Sequence, residues 1–169
     1  MGDIKVGNGS ISILSLIACV GALLAFIGFF LAITKFQYDG FLGKVYSDTI
    51  SGMDLIGNKY DGHKVDDMYT FWKVMPLLAM LTGLATLVLG ILPIFGVNNS
   101  GVKLAFMICG VVTLVLGLLV FIFSAAPAVV DKDWRLDDWK AARQIGAYFF
   151  LIGGILAGAG ACCDKFLKA

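Results

Sequence analysis

Four uninterrupted apolar runs, at about 11–33, 74–95, 104–124 and 145–163, divide the chain, and none of them contains Asp, Glu, Lys or Arg. A hydrocarbon core takes roughly 20 helical residues to cross, and inside it an unpaired backbone N–H or C=O finds no water. Each run is therefore a helix or part of a closed barrel, and continuous apolarity lacks the alternation of a barrel strand. The pattern predicts an all-α membrane protein: a single domain over 1–169, built as a four-transmembrane-helix bundle. The first run is too long for a signal-peptide core and has no small-x-small cleavage site, so we expect it to be retained. The start, Met1-Gly2-Asp3-Ile4-Lys5-Val6, lacks the Ser or Thr that a myristoylation signal carries at its sixth position.

The connections are unequal: a long first loop at 34–73, a short hairpin at about 96–103, and a medium third loop at 125–144. An even number of spans puts both tails and the hairpin on one side, and the first and third loops on the other. Nine Lys and Arg fall on the loop side (Lys35, Lys44, Lys59, Lys64, Lys73, Lys132, Arg135, Lys140, Arg143) and four on the tail side (Lys5, Lys103, Lys165, Lys168). The loop side has more than twice the residues, so the positive-inside rule discriminates weakly here. Net charge favours the tails inside, and the expectation is an integral protein of the plasma membrane with both termini cytoplasmic.

Small residues recur within the spans. Glycines stand seven apart in Gly21/Gly28, Gly83/Gly90, Gly110/Gly117 and Gly146/Gly153/Gly160. A strict seven-residue repeat keeps one seam facing a neighbour when helices wind left-handed, and small residues let membrane helices approach closely. A tight left-handed bundle is the expectation. Gly154 and Gly158 add a small-xxx-small pattern that dimerises helices if the bundle itself leaves that face open.

Composition supports the class: 59% of residues are hydrophobic and 15% charged, with a mean hydropathy of +0.90, against roughly 45–50% and 25% in soluble domains. A net charge of +1 offers no basic face for nucleic acid. Every one of the 12 acidic residues is Asp, the carboxylate that closes turns and caps helices, and all lie outside the apolar runs. A carrier usually keeps an ionisable group within the membrane, and the polar or thiol residues of these spans include Ser12, Ser15, Thr82, Thr86, Thr113, Cys19 and Cys109 but no Asp, Glu, Lys, Arg or His.

Catalytic chemistry is equally sparse. His63, the sole histidine, sits in the turn-like Asp61-Gly62-His63-Lys64; no His/Cys pair has metal spacing, and no nucleophile elbow or phosphate loop occurs. The expectation is a non-enzyme with no cofactor and no resident metal. Asp61, Asp66 and Asp67, like Asp131, Asp133, Asp137 and Asp138, read as a solvated surface before a calcium site, since the EF-hand pattern is absent. Cys162-Cys163 stands where the last span leaves the membrane, a position palmitoylated in eukaryotes, but buried or idle thiols are the simpler reading. With no cysteine in a long loop, a disulfide-stapled ectodomain is excluded.

The loop side is where a partner surface is expected. It holds the aromatics Tyr38, Phe41, Tyr46, Tyr60, Tyr69, Trp72, Trp134 and Trp139. Phe41, Leu42 and Val45 follow helical spacing, and glycines break the first loop into short pieces, so short helices or strands should fold against the bundle mouth. Tyr69-Phe71-Trp72 reads as an interfacial anchor. Asp133 or Asp137 is placed to cap a helix running on into the last span, with Trp134 and Trp139 at headgroup level.

This layout, with Ser51-Gly52-Met53-Asp54-Leu55-Ile56-Gly57 in the long loop and Pro76-Leu77-Leu78-Ala79 opening the second span, resembles a broad set of small prokaryotic four-helix membrane proteins. It is also similar to the claudin family. That family's first loop carries a Gly-Leu-Trp motif and a cysteine pair, and this loop has neither, so the resemblance implies topology and not barrier function. Tetraspanins fit less well, since their large loop is the other one and carries a Cys-Cys-Gly motif.

Together these features lead to the expectation of a non-enzymatic structural or interaction protein, packing laterally as a homo-oligomer or docking another membrane protein through its aromatic loops. The alternatives are a homo-oligomeric channel lined by Thr82, Thr86 and Thr113, and an accessory subunit of a larger complex.

Overall fold

The computed structural model describes residues 3–6, 9–39, 45–60, 63–64, 70–125 and 139–166. Its frame is four helices long and apolar enough to cross a membrane, the signature of an integral membrane protein: α1 (Ile13–Phe30), α3 (Thr70–Ile91), α4 (Ser100–Phe123) and α5 (Ile145–Phe166). A one-turn 3-10 helix, Leu92–Phe95, finishes α3 and turns at Gly96, whose φ of 82° is open to glycine. The helices pack in a ring, each on two neighbours in the order α1, α3, α4, α5, while diagonal pairs barely touch.

Span boundaries differ from the apolar runs for identifiable reasons. α1 stops at Phe30 because Leu31 turns extended and the chain enters a strand. α3 begins six residues ahead of Pro76, carrying Lys73 within it; Phe71 and Trp72 hold that first turn by edge contacts with the Phe123 ring at 5.5 and 6.3 Å. α4 starts at Ser100 because the Asn99 side chain accepts the Val102 N–H at 2.9 Å, a regular N-cap. α5 continues through Asp164 and Lys165, since a charge at the end of a helix leaves the bilayer without breaking the backbone ladder.

To the helical bundle the connections add strands. The N-terminal tail forms a hairpin of β1 (Asp3–Val6) and β2 (Gly9–Ser12). On the loop side, β3 (Ala32–Asp39), β4 (Val45–Ser51) and β7 (Trp139–Arg143) form an antiparallel sheet in the order β4-β3-β7. A two-residue pair, β5 (Lys59–Tyr60) and β6 (His63–Lys64), completes the strands. Val45 therefore belongs to a strand and not to the helical turn its spacing suggested, while Phe41 and Leu42 lie outside the described residues. The helix expected to run into the last span is also corrected: 139–143 is extended and pairs with β3. A chain emerging from α1 as a strand offers a long row of backbone donors and acceptors, and both flanks are filled by the connections nearest it.

One sheet face turns inward onto the bundle. Phe36 and Ile50 are fully buried with Ile33, Phe29, Leu55, Trp72 and Phe150 in a single cluster that joins sheet to bundle. The opposite face carries Lys35, Gln37, Ser47, Thr49 and Lys140, which alternate with the buried set as strand geometry requires.

The short helix α2 (Gly52–Gly57) plugs the mouth of the bundle. Its start is a capping box: Ser51 Oγ accepts the Asp54 N–H at 3.3 Å, and Asp54 Oδ2 accepts the Ser51 N–H at 2.9 Å. Asn58 ends it in the left-handed region, with φ 51°. Gly52 lies directly on the Phe29 ring, where a Cβ would come within 2.7 Å of the Phe29 carbonyl oxygen. The Ser51–Gly57 motif is thus a structural plug that drives Leu55 into the core. Ser51→Ala is expected to lower stability by about 1 kcal/mol, read as a fall in the thermal midpoint in detergent.

Candidate functional site

The loop-side sheet rests on the end of α4, and the contacts that hold it are polar. A helix leaves its last carbonyls without intrahelical partners, and at the membrane boundary these must be met by protein or water. Thr34 Oγ1 donates to the Ser124 carbonyl at 2.7 Å, and Arg143 Nε donates to the Phe121 carbonyl at 2.9 Å. The Arg143 guanidinium also stands 4.5 Å from the Phe121 ring centroid, a favourable cation–π geometry near a helix C-terminus. Gln144 N–H closes onto the Ile33 carbonyl at 3.0 Å. The sheet is therefore fixed to the bundle by groups from β3, β7 and the α4 terminus.

Thr34 is 2% exposed. Thr34→Val keeps its shape and removes its donor, leaving the Ser124 carbonyl short of a partner, with an expected cost of about 1–3 kcal/mol. Hydrogen exchange of 34–38 measured against wild type reads that loosening directly.

The register sets the expected partner residues in order. Tyr38 pairs with Tyr46 on one side and with Trp139 on the other, so three aromatic positions form one row across three strands. The row is two residues beyond Phe36 on the same strand parity. Tyr60 belongs to the β5–β6 pair. Phe41, Tyr69 and Trp134 lie outside the described residues. Trp72 is a correction: it is 4% exposed and packs inside against Phe123, because α3 begins early enough to carry it into the core. Its neighbour Phe71, 54% exposed, takes the outward position.

On α5 the glycine positions divide between two seams. Gly146, Gly153 and Gly160 face α1, meeting Gly28, Gly21 and Ala18; a Cβ on Gly153 would fall 2.6 Å from the Gly21 carbonyl oxygen. Gly154 and Gly158 face α4, against Thr113, Leu114 and the Gly110 carbonyl, and Gly110 and Gly117 return the contact against Ala157 and Phe150. The Gly154-xxx-Gly158 face is thus occupied inside the bundle and is not open for dimerisation. On α3, Gly83 meets the Ala22 carbonyl and Gly90 the Phe106 ring.

Of the threonines suggested as pore lining, two are turned inward. Thr86 and Thr113 are fully buried, 3.5 Å apart, and each donates to a carbonyl of its own helix at 2.8 Å. Thr82 bonds its own helix at Leu78 and Ala79.

Among the described residues no group of three or more His, Cys, Asp or Glu could hold a metal ion; Asp61, Asp66, Asp67 and Asp131–Asp138 lie outside them. Cys19, Cys109, Cys162 and Cys163 are free thiols, with Cys19 buried. Compared with known proteins, the chain matches no family model and no curated protein.

Three features had no clear sequence signal. The pairing of 34–38 with 139–143 spans about a hundred residues of chain. The Thr34 and Arg143 anchors depend on that pairing. A link between Ser12 and Asp164 joins the two ends of the chain.

Proposed function

We propose that the chain is a non-catalytic membrane scaffold that binds a protein partner, either another membrane protein or a second copy, through its loop-side sheet. The observation that supports this is the row of Tyr46, Tyr38 and Trp139 across a sheet fixed to the bundle. Aromatic residues on a rigid support give large contact area at low entropic cost, and they dominate interface hot spots. A left-handed wind of the bundle, a claudin-like layout as topology alone, and a plasma-membrane location with cytoplasmic tails belong to the same proposal. The seven-residue glycine spacing supports the first of these.

Placing a photo-crosslinking residue at Tyr38 and irradiating native membranes tests the reading. The expected result is one adduct of discrete mass that disappears in the Tyr46→Ala/Trp139→Ala background. A twofold mass marks a second copy, and any other mass marks a foreign partner. Irradiation that yields no adduct, or an adduct indifferent to the two substitutions, overturns it.

A further inference from the structure

Anchoring the sheet uses only part of the Arg143 side chain. Its Nε donates to the Phe121 carbonyl at 2.9 Å, which is one of the five N–H donors a guanidinium carries. The four on the two terminal nitrogens make no hydrogen bond or ion pair with a described residue, and Arg143 is exposed. The Phe121 ring, with its centroid 4.5 Å from Arg143 Cζ, supports the group from one face. The same ring meets Tyr148 edge-on, centroids 5.4 Å apart. Tyr148 in turn belongs to a column on α5, Ile145, Tyr148, Ile152 and Ile155, whose members follow helical spacing and are all exposed. Large apolar side chains on the outside of a spanning helix face lipid, so the guanidinium stands at the loop-side end of a lipid-facing surface between α4 and α5.

We propose that Arg143 binds a phosphate group through the planar fork of its two terminal nitrogens. Two nitrogens in one plane match two phosphate oxygens bidentately, a geometry that a lysine ammonium does not reproduce. The group is already held by its Nε and by the Phe121 ring, so little side-chain freedom is lost when a ligand arrives. Where a span ends, the surrounding medium is the headgroup layer, and its abundant anionic oxygens are those of phosphodiesters. A zwitterionic headgroup brings its own ammonium to the phosphate, so an anionic phospholipid is the better ligand. Free phosphate offers the same oxygens. The site is separate from the row of Tyr46, Tyr38 and Trp139, and a partner there is not needed for it.

The test uses the full chain in mild detergent with equimolar phosphatidylglycerol and phosphatidylcholine, and retained lipid is read by native mass spectrometry. The anionic lipid is expected in about fivefold excess, the scale of one basic residue at an anionic lipid surface. Arg143→Gln should bring the ratio close to one. Arg143→Lys keeps a cation and a donor for the Phe121 carbonyl, so the sheet stays anchored, but it loses the fork; its ratio should fall to about twofold. Lys73→Gln removes the same charge at the same end of the bundle, on α3, diagonally across from α5, and should leave the ratio unchanged. Calorimetric titration with inorganic phosphate separates the sources. Lipid selectivity without heat assigns a bilayer headgroup; saturable heat that Arg143→Gln abolishes, with or without lipid selectivity, shows that free phosphate also fits. Neither signal in the wild type, signals unchanged in Arg143→Lys, or a ratio lowered as far by Lys73→Gln as by Arg143→Gln, overturns the proposal.

Discussion

Gly153→Leu is expected to unfold the bundle, with a loss of about 3 kcal/mol or more, since overpacking a closed core at backbone contact lies at the upper end of such costs. A Cβ on Gly153 would stand 2.6 Å from both the Gly21 carbonyl oxygen and the Ala25 nitrogen. These are backbone atoms of a helix and cannot swing aside as a side chain does. Within a bilayer no hydrophobic force drives helices together, so close packing of small residues carries their association. Forcing α1 and α5 apart also parts α5 from α4, because the second glycine seam runs along the adjacent face of α5. The fraction folded in mixed micelles of rising denaturing-detergent content measures the loss. Gly57→Ala serves as the reference, because its Cβ would meet nothing nearer than Lys59 Cγ at 3.5 Å; a Gly153→Leu curve coincident with that reference rejects the seam.

Phe36→Ala should cost about 3–5 kcal/mol, the range for truncating a buried phenylalanine. The reason differs from that for the glycines. Phe36 belongs to the extramembrane sheet and is fully buried with Ile33, Ile50 and Phe29, so its removal loses a transfer term as well as packing. The expected outcome is local: the sheet detaches while the four helices stay together. Circular dichroism should keep its helical signal, and hydrogen exchange should rise across 32–39, 45–51 and 139–143. Loss of the helical signal instead would mean that the bundle depends on its sheet.

The spans were legible because charge-free runs of this length admit few other structures. Their ends were less so, since Lys73, Asp164 and Lys165 sit in terminal helical turns, and composition does not tell a helix end at the headgroups from a loop. Glycine spacing showed which positions repeat. It did not show that α5 would carry two seams, which depends on the ring order of the helices. The motif at 51–57 stood in the sequence only as a resemblance, and the structure makes it a capping box with Gly52 set against Phe29. The aromatic row was the least legible feature. Tyr46, Tyr38 and Trp139 come together through a register between distant segments, and strand periodicity within one segment carries no information about its partner. Trp72 was misplaced for the same kind of reason, because its burial follows from where α3 begins.

The most direct test of the scaffold reading is the mass of the native assembly, extracted in polymer nanodiscs with its co-purifying proteins identified and compared with the Tyr38→Ala/Tyr46→Ala/Trp139→Ala variant. The account predicts a wild-type assembly heavier than the 18.1 kDa chain, as a homo-oligomer or with a stoichiometric partner, that falls to the single chain in the triple variant. A wild-type protein that runs as a lone 18.1 kDa chain, or an assembly that survives all three substitutions, would contradict it.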